Sequence, residues 1–325
     1  TLQTGNSTTG SITITDGANG NIAITPNGTG AIQLDGLSWP TVDGSTDQVL
    51  KTDGSGTLSW SSAATSINGL SDALVEDNST YLGNDPSSTT DDALRNVAVG
   101  LIALDAITTG DNNVAVGYNA LTANTTGSHN IGIGYNALKD NVGGTSNAAI
   151  GYGSLASNTS GQFNTGVGSS SLNANINGQR NVGIGNSSLR DNSSGNYNTA
   201  VGKSSGQSIT TGDDNLTIGH QAGILLTTGN YNTILGSDSD PSASSASNQT
   251  VIGYNVTGQA DNSVVLGNAD VTAIYMAQDK GATVHAAGAD LSGSTGLILE
   301  NDETITNSTD AVSYTHLRAH ETSTY

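Results

Sequence analysis

The sequence predicts an all-β solenoid built from 17-residue coils, and three regularities carry that expectation. Glycine returns every 17 residues without a slip, at Gly100, Gly117, Gly134, Gly151, Gly168, Gly185, Gly202, Gly219, Gly236 and Gly253. Four residues before each of them stands an amide: Asn96, Asn113, Asn130, Asn147, Asn164, Asn181, Asn198, Asn215 and Asn232, then Gln249. The residue just before each Gly is aliphatic, from Val99 and Val116 to Leu235 and Ile252, and a shortened unit, Asn262-Ser263-Val264-Val265-Leu266-Gly267, closes the series. A unit this small buries its faces only by stacking on its neighbours.

Composition agrees. Only 11% of the 325 residues are charged, against roughly 25% in ordinary globular domains. Val, Ile and Thr alternate in short runs bounded by Gly, Asn, Asp and Ser, which is strand-and-turn chemistry rather than the signature of a disordered acidic tail. The net charge of -20, with eight Lys and Arg, argues against a nucleic-acid partner, whose phosphates need cations. The chain has no Cys and no apolar run long enough to insert in a membrane, so neither disulfides nor membrane insertion of this segment is expected.

In chain order, residues 1–36 repeat with period ten: Leu2, Ile12, Ile22 and Ile32, with Gly10, Gly20 and Gly30 between them. Each unit is one short strand and a turn, too small to stand alone, so stacked coils or strands of other chains are the expected partners. Residues 37–93 form an irregular connector. Asp43-Gly44 and Asp53-Gly54, followed by Leu58-Ser59-Trp60, predict a hairpin around Gly54 to Gly56. Ser71-Asp72-Ala73-Leu74-Val75-Glu76 reads as a helical turn capped by Ser71 or Asp72. The array occupies 94–267. Residues 268–311 hold loosely spaced strands such as Val271 to Met276 and Gly296 to Glu300. Val312 to Thr322, within the final segment 312–325, resembles a translated sequencing adaptor at the end of a truncated metagenomic gene, and Thr1 in place of Met marks a fragment or processed end.

Within a coil, Asn130-Ile131-Gly132-Ile133-Gly134 places Ile131 and Ile133 on one face and Gly132 on the other. Burial is expected for the bulky face, so Ile150→Asp should be severely destabilising. A close backbone neighbour is expected on the small face, at Ala98, Ala115, Gly132, Ala149, Gly166, Gly183 and Ala200. A second strand such as Tyr135 to Leu138 is expected after each anchor Gly, with Leu104 to Leu189 forming a column. Gly110, Gly127, Gly144 and their successors are expected to supply the turn back. The Asn column should form an amide ladder. A thin coil cannot cover both faces, so one apolar stripe is left for a second copy of the chain.

Asn-Val-Ala-Val-Gly, Asn-Ile-Gly-Ile-Gly and Asn-Ser-Val-Val-Leu-Gly resemble the head repeats of trimeric autotransporter adhesins. The resemblance implies a left-handed β-roll, a homotrimer and an adhesive role; the 17-residue period is longer than is usual in those heads. The flanks, Asp47 to Trp60 and Tyr81 to Ser88, resemble structural proteins of marine phage tails. Together these imply a tail-fibre segment of a virion that meets a host-surface glycan or protein receptor, with a bacterial trimeric surface adhesin head as the alternative location. A polysaccharide-degrading solenoid is a remote third.

Candidate chemistry is sparse. Gly132-x-Gly134 and its equivalents lack the Lys and helix of a phosphate loop. His129, His220 and His285 occupy unrelated repeat positions, and the unbroken period leaves no insertion to build a cleft. No enzyme activity and no cofactor are therefore expected. Asp111, Asp213, Asp214, Asp238 and Asp240 lack calcium-roll spacing and read as solvated turn carboxylates rather than metal ligands. The Thr108-Thr109, Thr125-Thr126, Thr210-Thr211 and Thr227-Thr228 pairs read as turn residues rather than an ice-binding face. Tyr118, Tyr135 and Tyr152, each following an anchor Gly, form the candidate glycan-contact column.

Overall fold

The computed structural model describes residues 11–14, 22–25, 33–34, 37–46, 48–62, 73–76, 78–83, 86, 90 and 92–274. Contacts divide the chain into Thr1–Val271 and Thr272–Tyr325. Of the second unit only residues 272–274 are described, and they form no strand. Val271 to Ile274, expected to be extended in a strand, is irregular, while His285, Gly296 to Glu300 and the adaptor-like segment lie outside the described residues.

The described strands of the period-ten region pair antiparallel rather than stacking in parallel. Strands β1 (Ser11–Ile14) and β2 (Ile22–Thr25) pair antiparallel, with Ile12 opposite Ile24, and β3 (Gln33–Leu34) pairs antiparallel with β4 (Leu37–Ser38). A short strand reaches its sequence neighbour at small loop-closure cost, which favours the hairpin. The hairpin expected around Gly54 to Gly56 forms between β5 (Gln48–Thr52) and β6 (Leu58–Ser62). Its turn rests on Gly54 and Gly56 at φ 77° and 98°. The Asp53 carboxylate accepts the N–H groups of Thr57 and Ser55 at 3.0 and 2.8 Å, and these bonds hold its pKa down at about 2. Trp60 Nε1 donates to the Val42 carbonyl at 2.9 Å.

The expected helical turn before residue 77 is instead a strand, β7 (Ala73–Glu76), antiparallel to β8 (Ser79–Leu82). Strand β8 is the first rung of the parallel array, and β7 covers its open edge. That tertiary pairing outweighs the helical preference of so short a segment. The array accordingly begins one coil before the expected boundary at 94. Gly83 stands 17 residues before Gly100, Tyr81 pairs with Ala98, and Ser79 Oγ accepts the Asn96 N–H at 2.9 Å in the place of an Asn. Ser and Tyr at those two positions hide this unit from a pattern written in Asn and small residues.

From β9 (Val97–Val99) the strands repeat one per coil to β18 (Thr250–Ile252), and β19 (Val264–Leu266) ends the ladder. Every pair is parallel and in register, as in Val114↔Ile131, Ala115↔Gly132 and Val116↔Ile133. The result is a parallel β-solenoid of about eleven coils, roughly 50 Å long at the inter-strand spacing of a sheet.

The second strand expected in each coil is absent. Asn136 and Leu138 lie at φ 58° and 52°, which turns the chain twice within three residues. Turns 135–140 replace an extended segment. These left-handed Leu residues form the spine of the interior: Leu104, Leu121, Leu138, Leu155, Leu172 and Leu189 are fully buried, all at φ between 49° and 54°. Each costs about 1–2 kcal/mol of backbone strain, offset by roughly 2 kcal/mol for burying a Leu side chain. Where the column changes to Gly206 and Gly223, Ile209, Leu226, Ile234 and Val251 become the buried bulk. The interior is refilled from another wall.

The glycines at 110, 127 and 144 do not supply turns by a left-handed φ. They allow close approach, since a Cβ at Gly127 would lie 2.4 Å from the Gly144 carbonyl oxygen and equally close to the Asn124 amide oxygen.

Two buried amide ladders run along the array. In the expected one, the Asn113 backbone N–H and Nδ2 both donate to Asn96 Oδ1, at 2.9 and 3.1 Å, and Nδ2 also donates to the Gly127 carbonyl at 2.9 Å. The bond from backbone N–H to the preceding Oδ1 repeats through Asn130, Asn147, Asn164, Asn181, Asn198 and Asn215. The second ladder, Asn124, Asn141, Asn158, Asn175 and Asn192, links Nδ2 to Oδ1 at 2.7–2.9 Å. Its spacing is equally visible in the sequence. It stops at Asn192, whose Oδ1 is buried without a donor because Ile209 follows in the column. Asn147→Ala would strand the Asn164 N–H and take from the Gly161 carbonyl one of its two amide donors, for an expected loss of about 2–3 kcal/mol. Exposed Asn177→Ala should stay within about 0.5 kcal/mol, and denaturant melts of the two variants check the difference.

Candidate functional site

The faces of each strand are assigned opposite to expectation. The small residues point inward: Ala98, Ala115, Ala149 and Ala200 are fully buried, and a Cβ at Gly132 would sit 3.2 Å from the Ala137 carbonyl oxygen and from Leu121. Close backbone approach on the small face is therefore correct, but the bulky face points out. Val99, Ile133, Ile150 and Ile218 are 40%, 37%, 41% and 41% exposed. The cause is volume: the Leu spine and two amide ladders already fill the coil, leaving room only for Ala or Gly opposite them. Ile150 is thus not the buried position it was expected to be.

This outward face is an aliphatic ladder. Each of the strands β9 to β19 presents two outward residues, Val, Ile, Leu, Thr or Ala, and none is charged, although the chain carries -20. Threonines at 165, 199, 233 and 250 are the only polar members.

The corner that follows carries Tyr118, Tyr135 and Tyr152, 47%, 46% and 60% exposed. They stack as the repeat requires: Tyr118 and Tyr135 have centroids 5.6 Å apart at 12°, Tyr135 and Tyr152 5.3 Å apart at 6°. Both faces of Tyr135 are therefore occupied by its neighbours. On the opposite corner a column absent from the sequence reading places the Arg180 guanidinium 5.2 Å from the Phe163 ring centre and 5.4 Å from that of Tyr197, with Nη1 donating to the Tyr197 hydroxyl at 3.0 Å. The 17-residue spacing of Phe163, Arg180 and Tyr197 was its signal.

The acidic residues are not merely solvated. Asp111 Oδ1 accepts the Leu94 N–H at 2.8 Å and Asp213 Oδ1 the Asn196 N–H at 2.6 Å, joining adjacent coils. Asp240 accepts the Leu225 N–H at 2.8 Å, and burial raises its pKa from the ordinary value of a carboxylate. Asp238 lies 3.5 Å from His220 Nδ1. Among the described residues no group of three His, Cys, Asp or Glu is placed to hold a metal ion, and no helix is long and apolar enough to cross a membrane. His129 and His220 stand in different columns and coils. The Thr hydroxyls serve the turns: Thr108 and Thr125 Oγ1 donate to the next coil's carbonyls at 3.0 and 3.2 Å. Gly132 lines the interior while Gly134, at φ 133°, makes the corner, so their spacing is that of the coil.

No protein family, curated protein or solved structure matches this chain.

Proposed function

We propose that the chain is a non-enzymatic fibre segment that associates with two further copies of itself through the outward aliphatic ladder, and that it belongs to a phage tail fibre contacting the host surface. The observation that carries the reading is the absence of charge from this face in an acidic chain. An interface core excludes charge, whereas a freely solvated sheet face would alternate with it. The number three and the left-handed roll come from the resemblance to trimeric adhesin heads. A bacterial surface adhesin is the alternative, which a membrane-anchoring β-barrel further along the gene would favour. A fibre tip or self-cleaving chaperone there would favour the phage.

A host-surface glycan or protein would be met at the Tyr118, Tyr135 and Tyr152 corner. With the rings stacked on one another, a sugar would engage phenol hydroxyls and ring edges, stacking only on the faces of Tyr118 and Tyr152 turned away from Tyr135.

Light scattering coupled to size exclusion tests the association. A trimer is expected at micromolar concentration, tightening as salt screens the repulsion between chains of -20 each. A well-behaved monomer at physiological salt would overturn the reading.

A further inference from the structure

We propose that the Tyr118, Tyr135 and Tyr152 column is an oxidative cross-linking site, at which a peroxide and a one-electron peroxidase-type catalyst join the phenols of successive coils as dityrosine. The chain has no Cys, so disulfides cannot staple its coils, and coupling of Tyr is the covalent route its surface offers. Coupling needs two phenols that are accessible and held together, and these meet both conditions. Their rings are about half exposed and lie 5.6 and 5.3 Å apart, nearly parallel. The in-register strands β10 (Val114–Val116), β11 (Ile131–Ile133) and β12 (Ala148–Ile150) fix that proximity, because each Tyr follows the Gly that ends its strand. Among the described residues the other exposed tyrosines lack it: Tyr231 and Tyr254 have no stacked tyrosine, and Tyr197 is engaged by Arg180.

The step balances. Each of two phenols loses one electron and its hydroxyl proton, and the two phenoxyl radicals form a carbon–carbon bond between ring positions ortho to oxygen. The ring hydrogen at each coupled carbon then moves to its own oxygen, restoring both phenols. The peroxide takes up the two electrons and two protons and leaves as two waters. Half-exposed side chains can swing from stacked to edge-joined rings, and a coil rise of about 4.8 Å is within the span of two tyrosines. The site does not depend on the proposed association, since both partners of each link belong to one chain.

The full chain treated with hydrogen peroxide and a haem peroxidase should gain dityrosine fluorescence. Peptide mapping should place links at Tyr118–Tyr135 or Tyr135–Tyr152, each lighter by two hydrogens and on a chain that still runs as a monomer in denaturing gels. Tyr135→Phe keeps an aromatic ring in the stack, and circular dichroism should confirm an intact fold, yet it removes the phenol both links need. Its fluorescence should fall to background, while Tyr231→Phe and Tyr254→Phe should leave the signal unchanged. Equal dityrosine yield in Tyr135→Phe and the parent, links mapped to other tyrosines or only between chains, or no dityrosine in the parent, would overturn the proposal.

Discussion

Ala149→Asp is expected to unfold the array around β12, whereas Ile150→Asp, one residue along the same strand, should barely change the melting temperature of the isolated chain. Ala149 is fully buried in the core that holds Leu138 and Leu155. An Asp there brings an unpaired charge into an interior with space only for a methyl group, a cost of several kcal/mol. Because a solenoid is a stack of neighbours, the loss should spread to adjoining coils rather than remain at one residue. Ile150 is 41% exposed, so its replacement costs only the strand preference, about 1 kcal/mol. Its effect should instead fall on association, since a carboxylate would enter the otherwise uncharged ladder. Circular dichroism melts and light scattering on both variants give the test. Equal destabilisation, or a normally folded Ala149→Asp, would show the inward and outward assignment to be wrong.

Gly151→Ala should be nearly as damaging although it adds one methyl group. Gly151 lies at φ 128°, which L residues rarely adopt, and a Cβ would stand 2.7 Å from both the carbonyl carbon and oxygen of Gly168. Strain and a clash against main chain, which no side-chain rotation relieves, together make about 3–5 kcal/mol. Gly54→Ala isolates the strain alone. Its φ is 77° with nothing within 4 Å of the added carbon, so about 1 kcal/mol is expected. Comparable melts for the two would mean that the anchor glycines are not held by the coil above.

The repeat is legible because each coil imposes the same demands on its residues. Anchor glycines, the Asn96 to Asn232 amides and the Leu104 to Leu189 spine mark the coil length, the ladder and the interior column, and the stacking of Tyr118, Tyr135 and Tyr152 follows from spacing alone. The local departures were less legible: Ser79 and Tyr81 stand in for the pattern in the first rung, and β7 is a strand only because β8 has an edge to cover.

What the sequence by itself determined was therefore the period, the parallel stacking and the columns, since side chains one repeat apart must superpose. Which side of each strand faces the interior was decided only by the tertiary structure. Alternation separates Ile133 from Gly132 without ranking them, and hydrophobicity alone would bury the isoleucine. The left-handed turn at Leu138 swings that side chain inside, the two amide ladders occupy the remaining width, and the opposite wall is left with space for glycine or alanine alone. Packing volume, summed over a whole coil, overrides the hydrophobic ranking of any single residue and turns the aliphatic ladder outward.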